Sequence, residues 1–187
     1  AQNDWFHVIG TDGKAKKSYR LLKAGPQADM MYPYMTMSKM GDLYIGWHTQ
    51  DYASPYVRRS IHVIKSSDGG ISWTTLDGSG TLSIPIIDDD TGPADMVNDT
   101  DELEVTTPIN GFMVKDGKLH VIYQVDREID EMHYKRYDLV SNKWDVDANP
   151  FFNGGPPQEK DNSGFLATDS ATPGSTLYFV TGTDNRT

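Results

Sequence analysis

The stretch Ser66-Ser67-Asp68-Gly69-Gly70-Ile71-Ser72-Trp73 lies between two short apolar runs, Ile61-His62-Val63-Ile64 and Trp73-Thr74-Thr75-Leu76. Asp-Gly-Gly supplies residues that tolerate positive φ, and the β-branched and aromatic residues on both sides favour a pleated sheet. In such a turn the side chains of Ser66 and Asp68 can form hydrogen bonds with backbone amides, and the apolar ring of Trp73 can fold back against the hairpin. The stretch therefore predicts a β-hairpin.

The same unit recurs along the chain, and we name it the C–D hairpin. Its copies lie at residues 6–22, 61–76 and 132–146. Each copy places a histidine at an equivalent position of its first strand, and a residue repeated in this way indicates packing rather than chemistry. These histidines are His7, His62 and His133.

A second unit alternates with the first, and we name it the A–B hairpin. Its copies lie at residues 34–47, 111–123 and 164–180, with turn glycines at Gly41, Gly117 and Gly174. The glycines are spaced more widely than the roughly 40 to 50 residues of a compact propeller blade, which predicts long connecting loops.

Four strands per repeat, with continuous apolar runs that need cover on both faces, predict an all-β chain and a β-propeller. A β-sandwich is the alternative, but it does not account for the alternating repeat. We expect residues 1–187 to be one partial propeller domain of about two and a half to three four-stranded blades, from a ring of about six or seven. Blade boundaries are expected near residues 32, 107 and 163, with no helix longer than about two turns.

Composition excludes several classes of function. The chain of 187 residues carries a formal net charge of -10, which argues against nucleic acid and anionic membranes as partners. It has no cysteine, so disulfides and thiol catalysis are excluded. No apolar run approaches the roughly 20 residues that span a bilayer, so no membrane insertion is expected.

Loop length separates the two faces of the predicted ring. The A–B and C–D turns are short, whereas the B–C and D–A connections are long, as at residues 48–58 and 77–107. Extended loops on a rigid scaffold carry functional sites, so we expect function on the long-loop face and a structural role for residues 66–73.

His48 is the leading candidate on that face. It ends a B strand, it breaks the repeat because Gln124 occupies the next equivalent position, and it opens a loop rich in tyrosine and arginine. Such a loop can supply an acid, a base and an anion clamp. The alternative is a solvated loop with a structural histidine. We predict that His48 is solvent-accessible and close to one of two arginines, Arg58 or Arg59, of which we favour Arg58.

Carboxylates cluster in residues 88–104, where Asp88, Asp90 and Asp95 are candidate ligands of a structural calcium ion. The spacing lacks an EF-hand pattern, so a solvated acidic loop is the alternative. No other cofactor is expected.

Residues 66–73 resemble the Asp-box, Ser-x-Asp-x-Gly-x-x-Trp, of the bacterial neuraminidase repeat. Beyond the Asp-box, the order of short sequence motifs along the chain is similar to that of the ulvan lyases. One departure is that the histidine those lyases carry ahead of strand A would fall near Met30 or Met31, so a two-histidine dyad is not supported. The matching pieces are Tyr32-Pro33-Tyr34-Met35, Gly41-Asp42, Trp47-His48, Arg58-Arg59-Ser60 and Ser83-Ile84-Pro85-Ile86.

The resemblance implies a secreted or periplasmic polysaccharide lyase that cleaves uronic-acid glycans by β-elimination. This chemistry needs a cation against the carboxylate, a base for the C5 proton and an acid for the departing O4. Arg58 or Arg59 would neutralise, His48 would be the base, and Tyr56 or Tyr32 the acid. The alternatives are an exo-sialidase-like hydrolase and a non-catalytic glycan-binding propeller. Expected substrate contacts are Tyr32, Tyr52, Gln124 and Arg127.

Overall fold

The computed structural model describes residues 2–26, 30–51, 57–89, 92–126, 131–148, 164–168 and 176–181. Within these ranges the chain is all-β, as predicted, and its one helix is a three-residue 3-10 helix, Thr100–Glu102. No helix in the described part of the chain has the length and apolar character to cross a bilayer. The strands are β1 (Asn3–Ile9), β2 (Ala15–Ala24), β3 (Met30–Met37), β4 (Leu43–Asp51), β5 (Val57–Ser66), β6 (Ile86–Asp88), β7 (Asp95–Met96), β8 (Ile109–Lys115), β9 (Lys118–Val125), β10 (Glu131–Asp138), β11 (Lys143–Ala148), β12 (Gly164–Thr168) and β13 (Leu177–Thr181).

These strands form four sheets. The first sheet has the order β1-β2-β6, the second β3-β4-β5-β7, the third β8-β9-β10-β11 and the fourth β12-β13. All neighbours are antiparallel except β2 and β6. The three A–B hairpins are confirmed as β3-β4, β8-β9 and β12-β13, and two C–D hairpins are confirmed as β1-β2 and β10-β11.

The turn at residues 66–73 has the predicted backbone, with Gly69 at φ 72° and Gly70 at φ 79°. Trp73 is fully buried and packs edge-on against Phe6, with ring centroids 5.4 Å apart. The Tyr19 hydroxyl accepts a hydrogen bond from Trp73 Nε1 at 2.7 Å and donates to the Gly70 carbonyl at 2.6 Å. The turn therefore links the second sheet to the first through these contacts.

The prediction that residues 73–76 form the fourth strand of the second sheet is wrong. Only Thr74 forms a bridge to β5, at Lys65, and the outer strand of the sheet is β7, which pairs with His62 and Val63. The chain turns back on itself after Thr74, which also bridges Thr81. This local hairpin leaves the edge of β5 open to β7.

Successive sheets pack face to face through two clusters of buried side chains. One joins the first and second sheets around Trp47 and Trp73, and the other joins the second and third around Tyr44 and Tyr123. Glycine permits close approach at the second interface, because a Cβ on Gly46 would lie 2.6 Å from the Phe112 ring. This stacking brings the ends of neighbouring sheets together.

Candidate functional site

The strand registers place His48 and Gln124 at the same end of neighbouring sheets. His48 lies between Tyr32 on β3 and Ile61 on β5, one residue beyond the Trp47–His62 pair. Gln124 stands one residue beyond the equivalent Tyr123–His133 pair of the third sheet. The repeat therefore has the alignment that the sequence predicted.

His48 is buried, with only 3% of its surface exposed, so the prediction that it is solvent-accessible is wrong. Its ring stacks on Tyr32 with centroids 5.0 Å apart and planes at 17°, and Tyr34 lies 6.2 Å away. On the other side the Ile109 backbone amide donates a hydrogen bond to His48 Nδ1 at 3.2 Å. The side chain faces the third sheet, because β8 packs over the end of β4.

The contact with Ile109 fixes the tautomer of His48. A backbone N–H can only donate, so Nδ1 must present its lone pair and the proton of the neutral ring resides on Nε2. A general base would need an unprotonated Nε2. In this arrangement His48 is a hydrogen-bond donor, and the role of base requires the bond to Ile109 to break.

The two arginines lie beside this end of β4, displaced by a β-bulge between His48 and Thr49. The bulge places Arg59 opposite Thr49 and Arg58 opposite Gln50. Arg59 is 6% exposed, and its Nη1 contacts the Leu103 carbonyl at 3.4 Å and the Glu104 carboxylate at 3.5 Å. The side chain of Arg58 lies outside the described residues, so the preference for Arg58 stays a prediction.

The predicted substrate contacts divide into two groups. Tyr32 is half-buried and Gln124 is buried, with its backbone amide donating to Pro108 O at 3.1 Å. The other two predicted contacts, Tyr52 and Arg127, lie outside the described residues, and so does Tyr56, which was predicted as a catalytic acid.

The two described aspartates of the predicted calcium site lie in different sheets, and each has a protein partner. Asp88 in β6 accepts hydrogen bonds from the Trp47 ring and the Thr49 hydroxyl. Asp95 in β7 accepts a bond from the Leu76 amide, and burial raises the pKa of its carboxyl. Asp90 lies outside the described residues.

Sequence reasoning missed a different group, formed by Asp99, His133 and Asp147. Within the described ranges it is the group whose ligand atoms lie close enough together, within 4.8 Å, to hold a metal ion. The buried Lys135 ammonium lies 2.8 Å from Asp99 and 3.3 Å from Asp147, so an internal cation already offsets part of the charge of these carboxylates. His133 and Lys135 are two residues apart on one strand. No local sequence pattern predicts that Lys135 contacts Asp99, which lies 36 residues earlier in a loop.

The same region contains a buried tyrosine and glutamate. Tyr123 donates a hydrogen bond to Glu102 at 3.0 Å, and His133 Nδ1 lies 3.3 Å from the other carboxylate oxygen. Burial, followed by the Glu102 charge, raises the pKa of Tyr123. The Tyr123–Glu102 bond therefore connects residues 97–105 to the third sheet.

Comparison with known proteins leaves the chain without an assigned family. It matches no protein-family model and no curated protein.

Proposed function

We propose that this chain is a segment of a longer β-propeller whose long-loop edge binds glycans. The observation that carries the proposal is the Tyr32–His48 stack at the end of β3 and β4, where a half-buried aromatic ring is held rigidly at a joint between sheets. Aromatic rings held in this way bind the C–H face of a sugar, and polar groups beside them orient its hydroxyls.

Charge favours an acidic glycan at this edge. The protein has a net charge of -10, so an anionic ligand needs locally placed cations. Of the two consecutive arginines near the start of β5, Arg59 is buried against Leu103 and Glu104, so the proposal assigns the ligand's carboxylate to Arg58. The proposed ligand is therefore a polysaccharide that contains uronic acid.

The test is calorimetric binding of uronate oligosaccharides, with neutral oligosaccharides of the same length as the control. We expect Tyr32→Ala to weaken binding about tenfold, which is about 1.4 kcal/mol, and Tyr32→Phe to bind like the wild type. Tyr178→Ala, which removes an exposed tyrosine from the fourth sheet, is the matched control. Equal affinity of Tyr32→Ala and Tyr178→Ala would refute this site.

Cleavage of the same glycans by β-elimination is the second candidate, and the Tyr32–His48 stack favours it with His48 in a role other than that of base. A base removes the C5 proton, the C4–O4 bond breaks, a C4–C5 double bond forms and O4 takes a proton. The hydroxyl of the half-buried Tyr32 would supply the proton for O4, and the buried His48 behind it would hold the ring in place. An arginine of β5 would neutralise the uronate carboxylate.

The two candidates separate in a single assay. Elimination gives an unsaturated product that absorbs near about 235 nm, whereas a binding module gives saturable binding and no absorbance change. If turnover occurs, Tyr32→Phe, which removes the proton donor and keeps the ring, should lower it by about 100-fold, and His48→Ala should lower it by a smaller factor. Undiminished turnover in His48→Ala would remove His48 from the reaction.

A further inference from the structure

Asp88 connects the first sheet to the strand that carries His48. It ends β6, which lies parallel to β2 in the first sheet, and 2% of its surface is exposed. Its two carboxylate oxygens accept bonds from different residues of β4: Oδ1 from Trp47 Nε1 at 3.1 Å, and Oδ2 from the Thr49 hydroxyl at 2.7 Å. One buried carboxylate therefore spans two alternate residues of a neighbouring strand.

The residue between those two is His48. Side chains alternate along a strand, so Trp47 and Thr49 point toward the first sheet while His48 points toward the third. The β-bulge beside His48, with Ser60 of β5 as its extra residue, interrupts the regular ladder between β4 and β5 and increases the local twist. A carboxylate that holds the residues on both sides limits this twist and with it the orientation of the imidazole.

We propose that Asp88 is a positioning residue that holds His48 in the orientation in which Ile109 donates to Nδ1 and the proton resides on Nε2. Its importance for ligand binding rests on the proposed function, whereas its effect on His48 does not. The two bonds to β4 require two acceptor or donor atoms in a plane, whereas the negative charge would act on His62, whose Nε2 lies 3.7 Å from Oδ1. An asparagine can form the two bonds: Oδ1 accepts from Trp47, and Nδ2 donates to the Thr49 hydroxyl, whose own proton can turn to the Ser60 carbonyl 3.5 Å away.

The experiment compares Asp88→Ala with Asp88→Asn in the full chain. The readout is hydrogen exchange of the Ile109 amide by NMR, together with the ring-nitrogen signals of His48, which report the tautomer. We expect exchange in Asp88→Ala to be about tenfold faster or more and the His48 ring to lose its single tautomer. Asp88→Asn should restore both signals to near the wild-type pattern.

Tyr19→Phe is the matched control for general loosening between the first two sheets. It removes a hydroxyl that bonds Trp73 and Gly70 at the other side of this interface without touching β4. If Asp88→Ala fails to fold, Thr49→Val removes one of the two bonds alone and should change the same signals in the same direction, by a smaller factor.

Unchanged Ile109 exchange in Asp88→Ala, or an equal change in Tyr19→Phe, would overturn the proposal. Failure of Asp88→Asn to rescue would also overturn it, since a role for the charge would then be indicated. Uronate binding is measured in parallel. If the wild type binds no uronate, the proposed function fails while the exchange data still decide the role of Asp88.

Discussion

Replacing Asp68 by alanine tests the source of stability in the turn at residues 66–73. The Asp68 carboxylate accepts bonds from the Ile71 amide at 2.8 Å, the Ser72 amide at 3.0 Å and the hydroxyls of Ser72 and Ser66 at 2.6 Å and 2.8 Å. Alanine removes all of them at once. The turn then depends on the two positive-φ glycines and on the burial of Trp73.

The expected loss follows from the exposure of this side chain. A hydrogen bond contributes about 0.5 to 1.5 kcal/mol, and water replaces much of that at an exposed site, so the whole set should be worth about 1 to 2 kcal/mol. For a domain of this length that lowers the melting temperature by roughly 2 to 8 °C. Glycan binding per folded molecule should not change, because the turn lies at the opposite end of the strands from His48.

The pH dependence gives an independent measure of the same bonds. The Ser72 hydroxyl, and then the Ser72 amide, hold the pKa of Asp68 below its usual value of 3.8. A depressed carboxyl pKa contributes stability above the unfolded value, and that contribution is lost as pH falls through the folded value. The difference in stability between wild type and Asp68→Ala should therefore shrink as the pH is lowered below about 4.

The assay is thermal and urea unfolding of wild type, Asp68→Ala and Ser67→Ala, an exposed neighbour in the same turn. The reasoning is refuted if Asp68→Ala and Ser67→Ala unfold together, or if the difference from wild type does not depend on pH. Loss of glycan binding without loss of stability would instead assign this turn to the binding site.

Further tests address packing and titration. Gly46→Ala places a Cβ 2.6 Å from the Phe112 ring and should lower the unfolding free energy measured in urea by about 1 to 3 kcal/mol; an unchanged midpoint would show that the second and third sheets can separate there. Gly111→Ala places a Cβ 2.6 Å from Leu166 and should speed amide exchange in β12 and β13 while leaving β1 and β2 unaffected. Burial lowers the pKa of His120 below 6.5, so the neutral ring is favoured in the folded state and wild-type stability should fall as pH drops below that value. His120→Gln cannot titrate and should show a smaller decline, and parallel curves would contradict this assignment.

The sequence by itself determined the strands and the short turns. Alternation of side chains and the conformational freedom of glycine are local properties, so β3-β4 and β8-β9, with Gly41 and Gly117 at positive φ, could be predicted without a structure. The bonds of Asp68 were predictable for the same reason, because donor and acceptor lie within four residues. β7 escaped prediction because a strand of two residues has no period to detect.

The tertiary structure decided which side chains meet near the ends of those strands. The sequence placed His48 as the last residue of a strand, whereas β4 continues to Asp51. It also did not show which neighbour covers His48, since the residue that binds Nδ1 is Ile109, 61 residues away. In the same way Asp88 appeared as one carboxylate in an acidic run, whereas its partner Thr49 lies 39 residues earlier on another sheet. Local patterns fix the direction of a side chain relative to its own strand. The surface it meets depends on how the sheets stack, and that is set by the shapes and volumes of side chains distant in sequence.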